Sequence, residues 1–220
     1  MAKKYVTFSF DDGTPDDVRL VALLDRYGIK ASFHLNAGLI PLDGKIGPWD
    51  RLPLTVLAPL YGNHEVAAHS YTHPDLTKLP IEVIDQELQS DIDTLDRYFN
   101  QKTRGFAYPY GTFDEKVIAE LKKTPLVYAR TIRDTHRFDL PSDPYLLDPT
   151  CHLSDPRLDE LADDFLSEDP KPKFFLIWGH SYELRNEEDW ARFEDVLKKV
   201  SHRPDVYYGS ILDCIFEMKH

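Results

Sequence analysis

The 220-residue chain is short of several things, and each shortage excludes a class of function. It has two cysteines, Cys151 and Cys214, far apart in sequence, which rules out a disulfide framework and a structural zinc knot and leaves two free thiols. Positive charge is scarce: 26 lysines and arginines stand against 38 acids, a net charge of -12 with no basic stretch. Phosphate backbones and anionic surfaces are repelled by such a chain, so nucleic acid is not an expected partner. No apolar run is long enough to cross a bilayer, so no membrane span is expected. The first residues carry two lysines but no apolar leader segment, and the expected location is cytoplasmic. Internal repeats and low-complexity tracts are missing too, and the length suits one domain over residues 1–220. None of this sets the oligomeric state.

What is present reads as alternating strands and helices. Residues 5–10 are aromatic and β-branched, a strand pattern that stops on Asp11-Asp12-Gly13. Thr14, Pro15, Asp16 and Asp17 combine an N-cap residue, a proline and first-turn acids, so a helix is expected from there to Gly28. Strands follow at 29–36, 65–70, 104–108, 125–132, 173–178 and 205–209. Between them come helices at 54–61 (broken at Pro59), 81–99, 114–123, 156–166 and 187–200, with a closing helix at the end. Residues 38–53 read as a long surface loop around Trp49, and 133–153 as irregular. Seven strands alternating with helices fit a β/α barrel or a doubly wound sheet, and periodicity does not choose between them.

Chemistry gathers at the carboxyl ends of these strands, where α/β proteins bind ligands. Asp11 and Asp12 end the first strand, although Asp-Asp-Gly alone is equally a turn. His69-Ser-Tyr-Thr-His73 follows the third. Two imidazoles four apart and one carboxylate can hold a divalent metal if the turn between them is helical, whereas the histidines by themselves are an ordinary surface pattern. Pro109-Tyr110-Gly111 ends the fourth strand, and its glycine permits a tight turn that points the Tyr110 N–H into a site. Trp178-Gly179-His180 ends the sixth and brings an imidazole able to transfer a proton near neutral pH.

Ser9-Phe10-Asp11-Asp12-Gly13, His69-Ser-Tyr-Thr-His73, Tyr108-Pro109-Tyr110-Gly111 and a late strand ending in His180 resemble, in order and spacing, the motifs of the polysaccharide deacetylases. This family is the nodulation-protein-B homology domain of carbohydrate esterase family four, and the resemblance spans nearly the whole chain. It implies a single α/β domain, a distorted seven-stranded (β/α) barrel, with a divalent metal, zinc first and cobalt, nickel or manganese as alternatives. Carried over by motif, Asp12, His69 and His73 are the metal ligands, Asp11 the general base and His180 the general acid, with the Tyr110 N–H facing the oxyanion. The implied activity is metal-dependent removal of N-acetyl groups from amino sugars in a polysaccharide or small glycoconjugate. The implied partner is a carbohydrate or small N-acetylated substrate.

Three departures qualify that implication. Ala107 stands where many members carry an arginine that orients the base, and Arg104, Arg130 and Arg133 are the candidates to replace it. Trp178-Gly179 stands where many carry leucine before the histidine, so the acyl pocket differs, and Trp178 and Trp49 are candidate pocket residues. The aspartate that tunes the histidine is not plain, and Asp134 is the candidate. These departures keep open an O-acetyl esterase or small-molecule amidohydrolase on the same fold, and a non-catalytic carbohydrate-binding relative. His34, His64, Glu65, His136, Cys151, His152 and Glu183 are assigned structural or solvated roles.

Overall fold

A computed structural model describes residues 3–219. Its elements run β1 (Lys4–Asp11), α1 (Asp17–Arg26), β2 (Ala31–Leu35), α2 (Leu54–Leu60), β3 (Glu65–Ala68), α3 (Ile81–Phe99), β4 (Gly105–Ala107), α4 (Glu115–Leu121) and β5 (Tyr128–Arg130). They continue with β6 (Cys151–His152), α5 (Leu158–Leu166), β7 (Lys173–Gly179), α6 (Glu187–Val200), β8 (Val206–Tyr208) and α7 (Ile211–Glu217). Seven strands follow one path, β5-β4-β3-β2-β1-β7-β6, every neighbour parallel, and curl into a half-barrel. The distorted seven-stranded barrel expected from sequence is therefore present as a single α/β domain. The β8 strand pairs with Lys4–Val6, on the part of β1 before the stretch Phe8–Asp11 that pairs with β2. Between β5 and β6, Leu147 forms a parallel bridge to Arg130 and narrows the open side.

Strand alternation decides what the site can contain. On β1 the even residues Val6, Phe8 and Phe10 join the large apolar cluster shared with the helices, including Leu20 and Leu24 of α1 and Phe193 of α6. The odd residues Tyr5, Thr7, Ser9 and Asp11 belong to the other face, with Ser32 and His34 of β2, Glu65 of β3, and Tyr128 and Arg130 of β5. At one end α7 closes this interior, where the Ile211 N–H donates to Ser32 Oγ at 2.8 Å and the Leu212 N–H to Glu65 Oε2 at 3.2 Å. Polar atoms removed from water need partners, and here the interior face supplies them. Gly105 is required by the same packing, because a Cβ there would stand 2.1 Å from the Tyr128 hydroxyl.

Two of the local expectations fail here for identifiable reasons. Within residues 133–153, expected to be irregular, Cys151 and His152 pair with β7 as β6, since the half-barrel offers β7 a free edge. Thr14 does not cap α1: the helix begins at Asp17, and Thr14 Oγ1 lies 3.0 Å from Ser181 Oγ after β7.

Asp17 is fully buried, hydrogen-bonded by the Ser181 and Tyr61 hydroxyls, so it joins the chain after β7 to the end of α2. Burial pushes its carboxyl up to about 7 even though both hydroxyls pull it down. Because the folded value lies above the ordinary 3.8, its contribution to stability is complete below about pH 4 and is lost as pH rises through 7. Asp17→Asn, which does not titrate, should gain on the parent between pH 4.5 and 8, by up to about 4 kcal/mol. Urea unfolding across that range tests this, and stability curves that stay parallel would refute it.

Candidate active site

Parallel pairing brings every strand's carboxyl end to one rim. Asp11 is the register partner of His34, Phe10 of Gly179, Ala107 of Arg130, and His152 of Trp178. The turns leaving this rim are strained. Of nine non-glycine residues with positive φ among the described residues, six sit here: Asp12, Trp49, Asp50, Ser70, His73 and Tyr110. Each costs about 1 kcal/mol or more and persists only where surrounding contacts enforce it.

Asp11 is 3% exposed, and Arg130 Nη2 reaches both of its oxygens at 2.5 Å. Burial alone would raise the Asp11 carboxyl, but the Arg130 charge, with His69 and His34, holds it well below the usual carboxylate range. The arginine missing at Ala107 is thus supplied from the adjacent strand, by the register partner of Ala107. Trp178 covers the pair, its ring 4.9 Å from the Arg130 guanidinium carbon. Of the other two candidates, Arg104 precedes β4, at the end of that strand remote from the rim, and Arg133 pairs with Asp148 at 2.9 Å.

Asp12, His69 and His73 converge, with one donor atom from each within 4.8 Å of the others. His69 Nδ1 donates to the Ala107 carbonyl at 2.7 Å, which leaves Nε2 as the lone-pair nitrogen, 3.1 Å from His73 Nε2. That is roughly the separation of two ligands on one tetrahedral zinc. Burial lowers both imidazoles, strongly at His69, which keeps them in the neutral form a metal requires. Among the described residues, no hydrogen-bond partner reaches the buried His73 Nδ1. Two neutral imidazoles and a carboxylate fit a divalent metal. The turn joining them is not the helical one expected from their spacing: positive φ at Ser70 and His73 folds it back instead.

Three residues not singled out from sequence hold this turn. Asp91 of α3, fully buried, accepts the N–H groups of His69 at 2.9 Å and Ala37 at 2.7 Å. Asn36 Nδ2 donates to the carbonyls of His69 at 2.6 Å and Ser70 at 3.0 Å. Arg51, from the long loop, pairs with Asp12 and donates to Asn36 Oδ1 at 3.1 Å. Burial raises Asp12, and Arg51 opposes that rise.

His180 Nε2 lies 3.9 Å from oxygens of both Asp11 and Asp12. Its Nδ1 donates to Glu183 Oε2 at 3.1 Å, and its backbone N–H to the same atom at 2.8 Å. Burial depresses the imidazole, yet Glu183 and the charges of Asp11 and Asp12 leave it above its ordinary value. Asp134 does not reach His180: its oxygens take the Trp178 Nε1–H at 2.7 Å and the His152 N–H at 3.1 Å. The orienting acid is Glu183, three residues on, whose offset in the one-turn helix after β7 was its only sequence signal.

A cleft of about 580 Å³ opens beside these groups, lined among others by Asp12, His73, Trp49, Tyr110 and Tyr182. Trp49 stands edge-on to His73 and Tyr182 stacks on His180, so aromatic faces flank both imidazoles. Trp178 is not among the lining residues. Tyr110 has φ 57° in a one-turn segment, whose first amides have no acceptor within the turn. Gly179 is needed because a Cβ there would come 2.2 Å from Leu153 Cδ2.

Comparison with known proteins points one way. The family profile described as polysaccharide deacetylase matches residues 1–129. The uncharacterized protein YlxY of Bacillus subtilis (strain 168) is 28% identical over 101 residues, 46% of this chain, and the chain covers 28% of that relative's length. Among solved structures, the Xyl-CE4 domain of a multidomain xylanase from the hindgut metagenome of Trinervitermes trinervoides aligns over 100% of this chain and 92% of its own. The TM-score is 0.63 at 17% identity. A CE4 family pseudoenzyme from Bacillus anthracis aligns over 96% and 65%, with a TM-score of 0.59 at 21% identity. At these identities the structural likeness concerns the fold.

Removing one partner of a buried ion pair leaves the other charge stranded. Arg130→Met should therefore lose about 3–5 kcal/mol of stability, and Asp11→Asn with Arg130→Met should lose clearly less than the two single losses combined. Denaturant unfolding of the four proteins measures the coupling, and strict additivity would contradict it.

Proposed function

The chain belongs to the polysaccharide deacetylase family, and from that we propose that it is a metal-dependent hydrolase removing N-acetyl groups from amino sugars in a polysaccharide or small glycoconjugate. Residues 1–220 are read as one catalytic domain. The observation that carries the reading is the convergence of Asp12, His69 and His73 between an ionised Asp11 and the Nε2 of His180. Zinc is the first choice of metal on the donor set, with cobalt, nickel or manganese as alternatives.

In this reading Asp12, His69 and His73 hold the metal, which supplies Lewis-acid polarisation of the acyl carbonyl and a water acidic enough to attack near neutral pH. Asp11, kept anionic by Arg130, accepts the proton of the attacking water. The Tyr110 N–H, at the cleft, donates to the oxygen that gains charge in the tetrahedral intermediate. His180 gives the departing amine its proton through Nε2, the nitrogen that faces Asp11 and Asp12. Trp49, Tyr110 and Tyr182 offer the apolar faces on which a sugar ring can stack.

A second reading rests on Gly179. Leucine is absent before His180, and Leu153 packs against the backbone there, so the acyl surroundings differ from the family pattern and admit an O-acetyl ester or a small amide. Purified protein reconstituted with zinc should release acetate from N-acetylglucosamine oligomers. Asp11→Asn should cut turnover by about 10²–10⁴-fold while one metal per chain remains bound, and His73→Ala should lose the metal. Turnover of O-acetyl or small-amide substrates with none on any N-acetyl sugar would move the assignment to the second reading. Bound metal with no turnover on any of them would leave a non-catalytic relative.

A further inference from the structure

Beyond the rim, Glu183 Oε2 has a third donor: His152 Nε2, at 2.9 Å. His152 lies on β6, beside Trp178 of β7 in the register, with ring centroids 4.7 Å apart and edge to face. Its backbone N–H is held by Asp134, whose other oxygen holds the Trp178 indole. Its Nδ1 accepts the Ser154 N–H at 3.2 Å and lies 2.7 Å from Ser154 Oγ. An imidazole nitrogen that accepts carries no hydrogen, so the His152 proton is on Nε2 and points at Glu183.

We infer that His152 is a positioning residue for His180: it pins Glu183 so that the carboxylate holds His180 Nδ1–H and leaves His180 Nε2 turned to Asp11 and Asp12. The inference rests on the reading of His180 as proton donor. Three donors on one oxygen leave Glu183 little freedom, and one of them comes from β6, a strand outside the short turn Ser181–Glu183 that carries it. The pairing of β6 with β7 thereby becomes part of the site.

A metal ion is the competing occupant, since His152, His180 and Glu183 also bring donor atoms within 4.8 Å of one another. The hydrogen-bond pattern argues against it. A ligand nitrogen needs its lone pair, and His152 Nε2 bears a hydrogen when Nδ1 accepts from Ser154. The pattern is satisfied without an ion.

The test uses the full chain with zinc bound. In nitrogen-15 NMR the parent should show a hydrogen on His180 Nδ1 held by Glu183, beside the one that Nε2 carries as proton donor, and a hydrogen on His152 Nε2. His152→Leu should loosen the His180 Nδ1–H hydrogen bond, read as an upfield shift and broadening of that proton, and lower kcat by about 10–100-fold, with KM within about twofold and one zinc per chain retained. His152→Gln, whose amide can still donate to Glu183, should restore most of both, and circular dichroism melts of the two variants exclude a fold defect. An unchanged His180 signal in His152→Leu would overturn the inference, as would a second zinc equivalent that this substitution removes. If the parent turns over no acetylated substrate, the proposed function fails, and the NMR comparison alone decides the role of His152.

Discussion

A carboxylate taken out of water must find a cation or give up its charge, and at Asp11 that constraint shapes the rim around it. The pairing with Arg130 needs β4 and β5 in register, so that the side chain at 130 reaches Asp11 on β1. It needs Trp178 over the guanidinium, and Trp178 in turn is held by Asp134. Four strands are therefore committed to the state of one carboxylate. Its neighbour Asp12 is left in a different electrostatic setting, paired with Arg51 and facing two neutral imidazoles.

Around this pair the structure spends backbone strain to aim side chains. Left-handed residues at Asp12, Ser70, His73 and Tyr110 fold the turns inward, and buried polar anchors hold them there. Asp91 and Asn36 satisfy the amides and carbonyls of the histidine turn, and Arg51 links that turn to Asp12. On the opposite side Glu183 fixes the His180 ring. One arm thus presents metal-binding nitrogens and the other a proton-carrying nitrogen, each with its ring orientation set by a hydrogen bond to the atom that does not face the site.

Legibility followed sequence distance. Asp11, Asp12, His69, His73 and Tyr110 lie at strand ends marked by short local patterns, and their convergence follows once the strands are parallel. The supporting groups could not be read in this way. Arg130 replaces an arginine expected at 107 because β4 and β5 are adjacent, a fact of pairing that no local pattern encodes. Asp134 follows β5 in the chain, which made it the candidate to orient His180, but the indole of Trp178 and the amide of His152 claim its oxygens. Asp91 stands on a helix whose repeat marks that face as apolar, and only its burial against Ala37 and His69 gives it a purpose. The family profile ends at residue 129, so Arg130, His152, His180 and Glu183 all lie beyond the segment it matches.

By itself the sequence determined the alternation of strands and helices, the acids and imidazoles at the strand ends, and through their order the family. These are properties of hydrophobic period and local turn chemistry, which act over a few residues. Tertiary structure decided which arginine holds Asp11, which acid holds His180, and how a turn that is not helical brings two histidines together. Each of those depends on strand register and burial, where competition among buried polar groups for a limited set of partners selects one arrangement.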